Sequence, residues 1–569
     1  MRTKFLLIVL LASLISSCRD AVSTSDAPVL RNLPALVADT AMVVSAHPVA
    51  SQIGVDVLKA GGNAIDAAVA VHYALAIAFP EAGNLGGGGF AVVRMADGKN
   101  YALDFREMAP GKAFRDMYLD EAGEPIDTLS WLGHLASGVP GSVAGMEALH
   151  DSLGSLPMAA LLRPSIELAE NGIVLTPKAA EHLNSKRDVI LRKNTRPTDF
   201  APQEEFQPGD TLRLPDLGRV IREIEAKGKA GFYEGWVADS IVAEMQRGGG
   251  IITHEDLLAY QAKWREPLEG DYHDLHLISM PPPSSGGVAL LQLLELVEGQ
   301  GLGEHDWHSA ETIHLMTEAE RRVYADRSQH LGDMDFYPVP LEKLLSAEYL
   351  KERMADFSPQ KASSSTSIQA GNIPGESEET THFSIIDGEG NAVSLTTTLN
   401  GWFGSCVVPG GTGFFLNNEM DDFSAKPGSP NFFGLIGAEA NAIEPGKRML
   451  SSMTPTIVEK EGKLWLVVGT PGGSTIITSV FQNIINVYHY DFNMQASVDA
   501  PRFHHQWLPD EIFLEEGAFS PALEQGLKEK GHSLSPRPSI GRVDAIRVLE
   551  DGRLEGGADR RGDDAAKGY

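Results

Sequence analysis

Two adjacent threonines and a histidine, Thr380-Thr381-His382, open an apolar alternating run. Directly before them, residues 359–379 carry Ser363-Ser364-Ser365, several glycines and prolines, and almost no apolar periodicity. A threonine hydroxyl is a poor nucleophile and needs a base held close to it. One solution is to cut the chain just before the threonine, so that the new α-amine becomes that base. This design calls for an exposed loop, a threonine heading a strand, and a second polar group nearby. The 359–379 stretch fits the first requirement, because a structureless run of this length in a compact protein is a functional loop or a linker. Thr380 fits the second, and 396–400 (TTTLN) on the following strand fits the third. Local sequence equally allows Thr380 and Thr381 to be ordinary β-formers at a strand start.

Other groupings carry less chemistry. Gly86 to Gly89 is glycine-dense, but no Lys-Ser/Thr follows and Phe90-Ala91-Val92-Val93 reads as a strand, whereas a phosphate loop opens a helix. His504-His505 are adjacent and point apart on an extended chain, with no third ligand at a metal spacing, and His254-Glu255 lacks the second histidine of a zinc helix. Neither a metal nor an organic cofactor is expected.

The elements that must place Thr380 are readable on both sides of it. Gly61-Gly62-Asn63 leads into an Ala/Val/Leu-rich run, 64–79, that reads as a buried helix with Asn63 at its N-cap and Pro80 at its end. A second helix is expected over 311–327, with Ile313, Met316, Ala319 and Val323 on one face. Beyond residue 380 the pattern becomes strand–turn–strand: 382–386 and 392–399 around 387–391 (DGEGN), 457–468 around Glu461-Gly462, and 545–554 around Asp551-Gly552. Residues 474–488 read as a helix between them. The position near 380 is the strongest boundary in the chain.

Composition bounds the rest. The 569 residues hold 47 Lys/Arg against 77 Asp/Glu, a net charge of −30 with no basic cluster, which argues against nucleic acid as a partner. Two cysteines, Cys18 and Cys406, cannot build a disulfide framework or a four-thiolate zinc site. Arg2 and Lys4 precede a short apolar run, 5–15, and Ser16-Ser17-Cys18, the pattern of an export signal. Ile15-Ser16-Ser17-Cys18 also resembles a bacterial lipobox, in which Cys18 would be lipidated. The expectation is a signal with lipobox over 1–18, a polar tether over 19–43, and an exported, periplasmic or envelope location anchored at Cys18. Cys406 is then a small packing residue.

Eleven short motifs in order resemble the γ-glutamyltransferase family. In the second half they are 380–384 (TTHFS), 387–391 (DGEGN), 398–400 (TLN), 417–427 (NNEMDDFSAKP), 451–456 (SSMTPT), 471–474 (PGGS) and 501–509 (PRFHHQWLP). In the first half they are 61–66 (GGNAID), 86–90 (GGGGF), 104–110 (DFREMAP) and 282–287 (PPSSGG). The resemblance runs from about Val44 to Tyr569. It implies an N-terminal-nucleophile hydrolase of α+β class, a four-layer αββα sandwich formed jointly by two subunits of one precursor. A large subunit would span 44–379, with 359–379 as the processing loop, and a small catalytic subunit 380–569. The cut would fall between Glu379 and Thr380.

The resemblance also assigns roles. Thr380 becomes the nucleophile, Thr398 a hydroxyl that supports it and the self-cleavage, and Gly472 and Gly473 the oxyanion donors. Arg106 would take the substrate α-carboxylate, which suits the planar fork of a guanidinium. Ser451 and Ser452 would assist it, while Asn400, Glu419 and Asp422 would bind the α-ammonium. Asp421 is left as structural. The implied activity is that of a γ-glutamyltransferase and glutathione hydrolase, passing the γ-glutamyl group to water or to an amino-acid or dipeptide amine. One departure concerns a lid, 429–442 (SPNFFGLIGAEANA). Phe433 stands where many bacterial relatives have tyrosine, so a tie through that hydroxyl is lost and a raised hydrolysis-to-transfer ratio is expected. The alternatives are a glutaryl-cephalosporin acylase of the same fold and an uncleaved lipoprotein that binds γ-glutamyl peptides.

Overall fold

The computed structural model describes residues 33–126, 128–368 and 380–569. Cys18, the signal segment and Glu379 lie outside these residues. Two seven-stranded sheets face one another. The first runs Ala565–Gly568, Met42–Ser45, Thr381–Ile386, Ala392–Thr398, Gly88–Arg94, Asn100–Asp104, Lys263–Arg265. The second runs Leu36–Ala38, Leu554–Ala558, Asp544–Val548, Lys463–Gly469, Thr456–Lys460, Leu275–Ser279, Leu268–Tyr272. Neighbouring strands are antiparallel throughout. Alternation along the strands sends Phe90, Val92, Ile457, Val467 and Ile546 into the space between the sheets. Their neighbours Ala91, Val93, Val458 and Val468 face outward onto helices. Helices Pro48–Lys59 and Ala64–Ala78 cover the first sheet, and Gly286–Glu298, Ile476–Tyr490 and Met494–Asp499 cover the second. The result is the α+β, four-layer αββα sandwich.

The expected helix at 64–79 forms over Ala64–Ala78 and is buried along its whole length. Asn63 caps it reciprocally with Asp66, a device worth about 1 kcal/mol. The expected helix at 311–327 extends over Ala310–His330, and each anticipated hairpin is present. One expectation changes. Residues 36–38 and 42–45 are strands of the two sheets, so the tether expected to reach 43 ends earlier and its last part belongs to the fold. As a sandwich formed jointly by both parts requires, the strand beginning at Thr381 is inserted between Met42–Ser45 and Ala392–Thr398. Both sheets mix strands from before and after that point. The glycine density at 86–89 also finds its reason: a Cβ on Gly87 would sit 1.9 Å from the Thr398 carbonyl, and one on Gly89 2.3 Å from that of Thr396. The Gly88–Arg94 strand packs this closely on the Ala392–Thr398 strand only because these positions lack side chains. Among the described residues no helix is long and apolar enough to cross a membrane.

Candidate active site

Thr380 immediately precedes the Thr381–Ile386 strand and lines two cavities. The smaller brings together Arg106, Thr398, Asn400, Glu419, Asp422, Ser451, Ser452, Phe433 and Gly473 with Thr380. The larger, about 530 Å³, is lined by Glu81, Lys178, His182, Trp402, Arg542 and Asp563 among others, and Gly472 forms part of its wall. The residues expected to act therefore converge around one hydroxyl, although they lie as far apart in sequence as Arg106 and Asp422. Asp421 is outside both linings. Glu379 and Cys18 cannot be placed, being outside the described residues.

Local geometry explains how each side chain arrives. The strand Ala392–Thr398 delivers Thr398, and its hydroxyl accepts the Asn400 backbone N–H at 2.8 Å. Asn400 sits at φ +70°, a left-handed turn that asparagine tolerates, and its amide donates to the Asn418 carbonyl at 3.1 Å. Glu419 and Asp422 come from one short turn, Glu419–Asp422. Gly472 and Gly473 adopt φ +141° and +52°, a backbone that side chains rarely follow. They lead through Gly473–Thr475 into the 15-residue helix Ile476–Tyr490, whose N-terminal end carries partial positive charge toward the site.

The electrostatics centre on Arg106, which is 1% exposed. It donates to Glu419, to Asp422 Oδ2 at 2.5 Å, and to the Met449 and Leu450 carbonyls at 3.3 Å each. Glu107 stands 3.6 Å away. Three carboxylates, Glu107 and Glu419 buried and Asp422 nearly so, thus share one guanidinium. Burial opposes the charge of Arg106, but the carboxylates of Glu419, Asp422 and Glu107 outweigh it and hold the group protonated. Burial likewise pushes Glu107 up to about 7, Glu419 well above the carboxylate range, and Asp422 upward, each against the pull of Arg106. Both oxygens of Glu107 and one of Glu419 are buried without a hydrogen-bond partner. Acceptors of that kind are costly unless a ligand donor meets them.

Several functional groups escaped sequence reasoning. Glu107 belongs to the acidic cluster around Arg106. Arg327, the end of the anticipated helix face, is a second buried guanidinium; it donates to Ser452 Oγ at 3.0 Å and Ser285 Oγ at 2.9 Å. The larger chamber had no sequence signal. Its His182 and Trp402 rings lie 4.0 Å apart, with His182 Nδ1 3.1 Å from Glu81.

His382, which adjoins the threonines, is not the base. It is fully buried between the sheets against Thr396 Oγ1 (2.9 Å) and Ser384 Oγ (3.1 Å), and burial lowers it to about 3. His314, Glu318 and His532 have ligand atoms within 4.8 Å of one another. Those atoms are already engaged: His314 with His532 at 2.7 Å and with the Ser358 carbonyl at 2.8 Å, and Glu318 with Arg321, Arg322 and the Ser363 N–H. The two adjacent guanidinium charges oppose a cation there.

The comparisons with known proteins agree with this geometry. The Gamma-glutamyltranspeptidase family model matches residues 50–569. The chain is 45% identical to a glutathione hydrolase proenzyme of Escherichia coli (strain K12), covering 99% of each chain, and 49% identical to one of Pseudomonas sp. (strain A14), covering 88% of each. A crystal structure of cephalosporin acylase from Bacillus halodurans superposes with a TM-score of 0.82 at 29% identity, over 94% of this chain and 97% of that one. The Helicobacter pylori γ-glutamyltranspeptidase structure gives 0.56 at 43% identity, over 60% and 97%. With the family model spanning residues 50–569 and relatives this similar over 88–99% of their length, the chain belongs to the γ-glutamyltranspeptidase family.

Proposed function

We propose that the chain is a γ-glutamyltransferase and glutathione hydrolase, made as a precursor that cuts itself before Thr380. The observation that carries this reading is the cluster of Arg106, Glu419 and Asp422 in the cavity that also holds Thr380 and Gly473, with Glu107 buried beside Arg106 outside its lining. A γ-glutamyl group presents an α-carboxylate and an α-ammonium remote from its scissile amide. Arg106, with Ser451 and Ser452, suits the first; Glu419, Asp422 and Asn400 suit the second. The Thr380 hydroxyl attacks the amide carbonyl, its proton passing to the freed α-amine and on to the leaving amine. The N–H groups of Gly472 and Gly473 meet the oxyanion. The larger chamber, which Thr380 also lines, is where the leaving amine departs and water or an acceptor amine enters. A small subunit of 380–569 and a large one ending at 379 would remain interlocked, because both contribute strands to both sheets.

An acylase is 37% identical over 92% of this chain, so the competing reading is a glutaryl-amide acylase. Comparing γ-glutamyl-p-nitroanilide with glutaryl-p-nitroanilide tests the proposal. A glutaryl group leaves the carboxylates without their ammonium, and kcat/KM is expected to fall about 10- to 100-fold. Equal rates on the two substrates would refute it.

The same cluster predicts a pH effect. An entering ammonium competes with the proton that burial retains on the carboxylates. KM for γ-glutamyl-p-nitroanilide is therefore expected to rise as pH falls below about 7, the value reached by Glu107, by up to about tenfold per pH unit for one displaced proton. Measuring KM from pH 5 to 8.5 checks this, and a flat profile contradicts it.

We further propose export and lipid anchoring at Cys18, resting on the basic start, the short apolar run and Ile15-Ser16-Ser17-Cys18. Radioactive palmitate should label the wild-type chain and not Cys18→Ala.

A further inference from the structure

The 429–442 segment covers the smaller cavity as a narrow hairpin. The Gly428 N–H donates to the Gly437 carbonyl at 3.0 Å, Pro430 bridges to Ile436, and the Asn431 N–H donates to the Leu435 carbonyl at 3.1 Å. The tip is Phe432-Phe433-Gly434. The Phe433 ring lies so close to Gly473 that a Cβ there would be 2.5 Å from it, so the tip sits directly on one oxyanion glycine.

Phe433 has no hydroxyl, so something else must hold the tip down. The backbone bonds show what does. Asp421 Oδ2 accepts the Phe432 N–H at 2.7 Å. Asn431 Oδ1 accepts the Phe433 and Leu435 N–H groups, both at 3.0 Å. The other end of the same amide, Asn431 Nδ2, donates to Asp422 Oδ1 at 3.0 Å, while Asp422 Oδ2 takes Arg106 at 2.5 Å. One side chain therefore fixes the tip backbone and orients the carboxylate facing the ammonium site. An amide suits both tasks, since it offers an acceptor to the N–H groups and a neutral donor that favours an ionised Asp422.

We propose that Asn431 is a positioning residue that ties closure of the hairpin tip to the Asp422 carboxylate, and so sets both γ-glutamyl affinity and the access of water to the acyl-enzyme. The proposal rests on the function proposed above. Two variants separate its halves. Asn431→Ala removes both the acceptor and the donor. It is expected to raise KM for γ-glutamyl-p-nitroanilide about 10- to 100-fold, the range for one lost hydrogen bond to a charged group, and to raise the hydrolysis-to-transfer ratio measured with glycylglycine as acceptor. Asn431→Asp keeps the acceptor for the tip but replaces the donor with a second carboxylate beside Asp422. It is expected to keep the wild-type ratio, raise KM, and shift the acidic limb of the KM profile to higher pH. Being isosteric, it also keeps the test open should the alanine variant fail to fold. Unchanged KM and ratio in a folded, active variant overturn the proposal, as does an equal rise of the ratio in both variants. A wild-type chain without γ-glutamyl turnover would overturn the functional reading as well.

Discussion

Replacing Thr380 by alanine is expected to leave the chain in one piece on a denaturing gel and to lower γ-glutamyl-p-nitroanilide turnover by about 10⁵- to 10⁶-fold, the scale on which removing a catalytic nucleophile acts. Wild-type protein run beside it should give two bands near two-thirds and one-third of the chain, since 380–569 is 190 of 569 residues. The expectation is sharp because no neighbouring hydroxyl can substitute. Thr381 faces neither cavity, and its Oγ1 is buried without a hydrogen-bond partner. Thr398 lines the site, but its hydroxyl accepts the Asn400 N–H and it lies inside a strand, where no cut could give it an α-amine. Thr380→Ser keeps a hydroxyl at the same place and should retain slower cleavage and turnover. Two bands and residual turnover in Thr380→Ala would remove the nucleophile from the proposal.

The parts of the fold legible in sequence were those written locally. Asn63 with Asp66 three residues on, the Asp387-to-Asn391 turn and Glu461-Gly462 each settle their backbone through near neighbours. The site was legible where its residues fall in compact motifs, such as Asn417 to Asp422 or Pro471 to Ser474. What escaped depends on contacts across long separations. Glu107 received no role, because nothing near it announces Glu419, more than 300 positions on. The Asn431–Asp422 bond spans only nine residues, yet an asparagine in a loop reads as a turn former until its side chain is seen bridging two elements. Residues 359–379 had the composition of a linker, which alone is ambiguous. A segment poor in apolar residues marks where the chain can be cut as readily as where one domain ends. Only the strand pairing shows that the sheet continues through that position.

Arg106→Ala is expected to damage the protein twice, and the two losses can be told apart. The substrate carboxylate loses its bidentate partner, and Glu107, Glu419 and Asp422 lose the one guanidinium that pairs with all three. Leaving buried charge unpaired costs about 3–5 kcal/mol of stability. Part of this is avoided by keeping protons on the carboxylates, which gives the loss a pH signature. In the wild type Glu107 already rises from its ordinary range to about 7; without Arg106 all three carboxylates should rise further. An acid whose pKa is raised on folding binds more protons folded than unfolded, so stability falls as pH climbs from the unfolded value toward the folded one. Thermal melting of Arg106→Ala should therefore lie furthest below wild type at pH 8 and recover toward pH 5. Arg106→Lys restores the charge without the fork. It should recover most of the stability while KM for γ-glutamyl-p-nitroanilide stays raised about 10- to 100-fold, because a point charge cannot make both hydrogen bonds to the substrate carboxylate. If Arg106→Ala melts below wild type by the same margin at pH 5 and pH 8, the carboxylates do not depend on Arg106, and the cluster cannot be the charge-balanced receptor assigned to it.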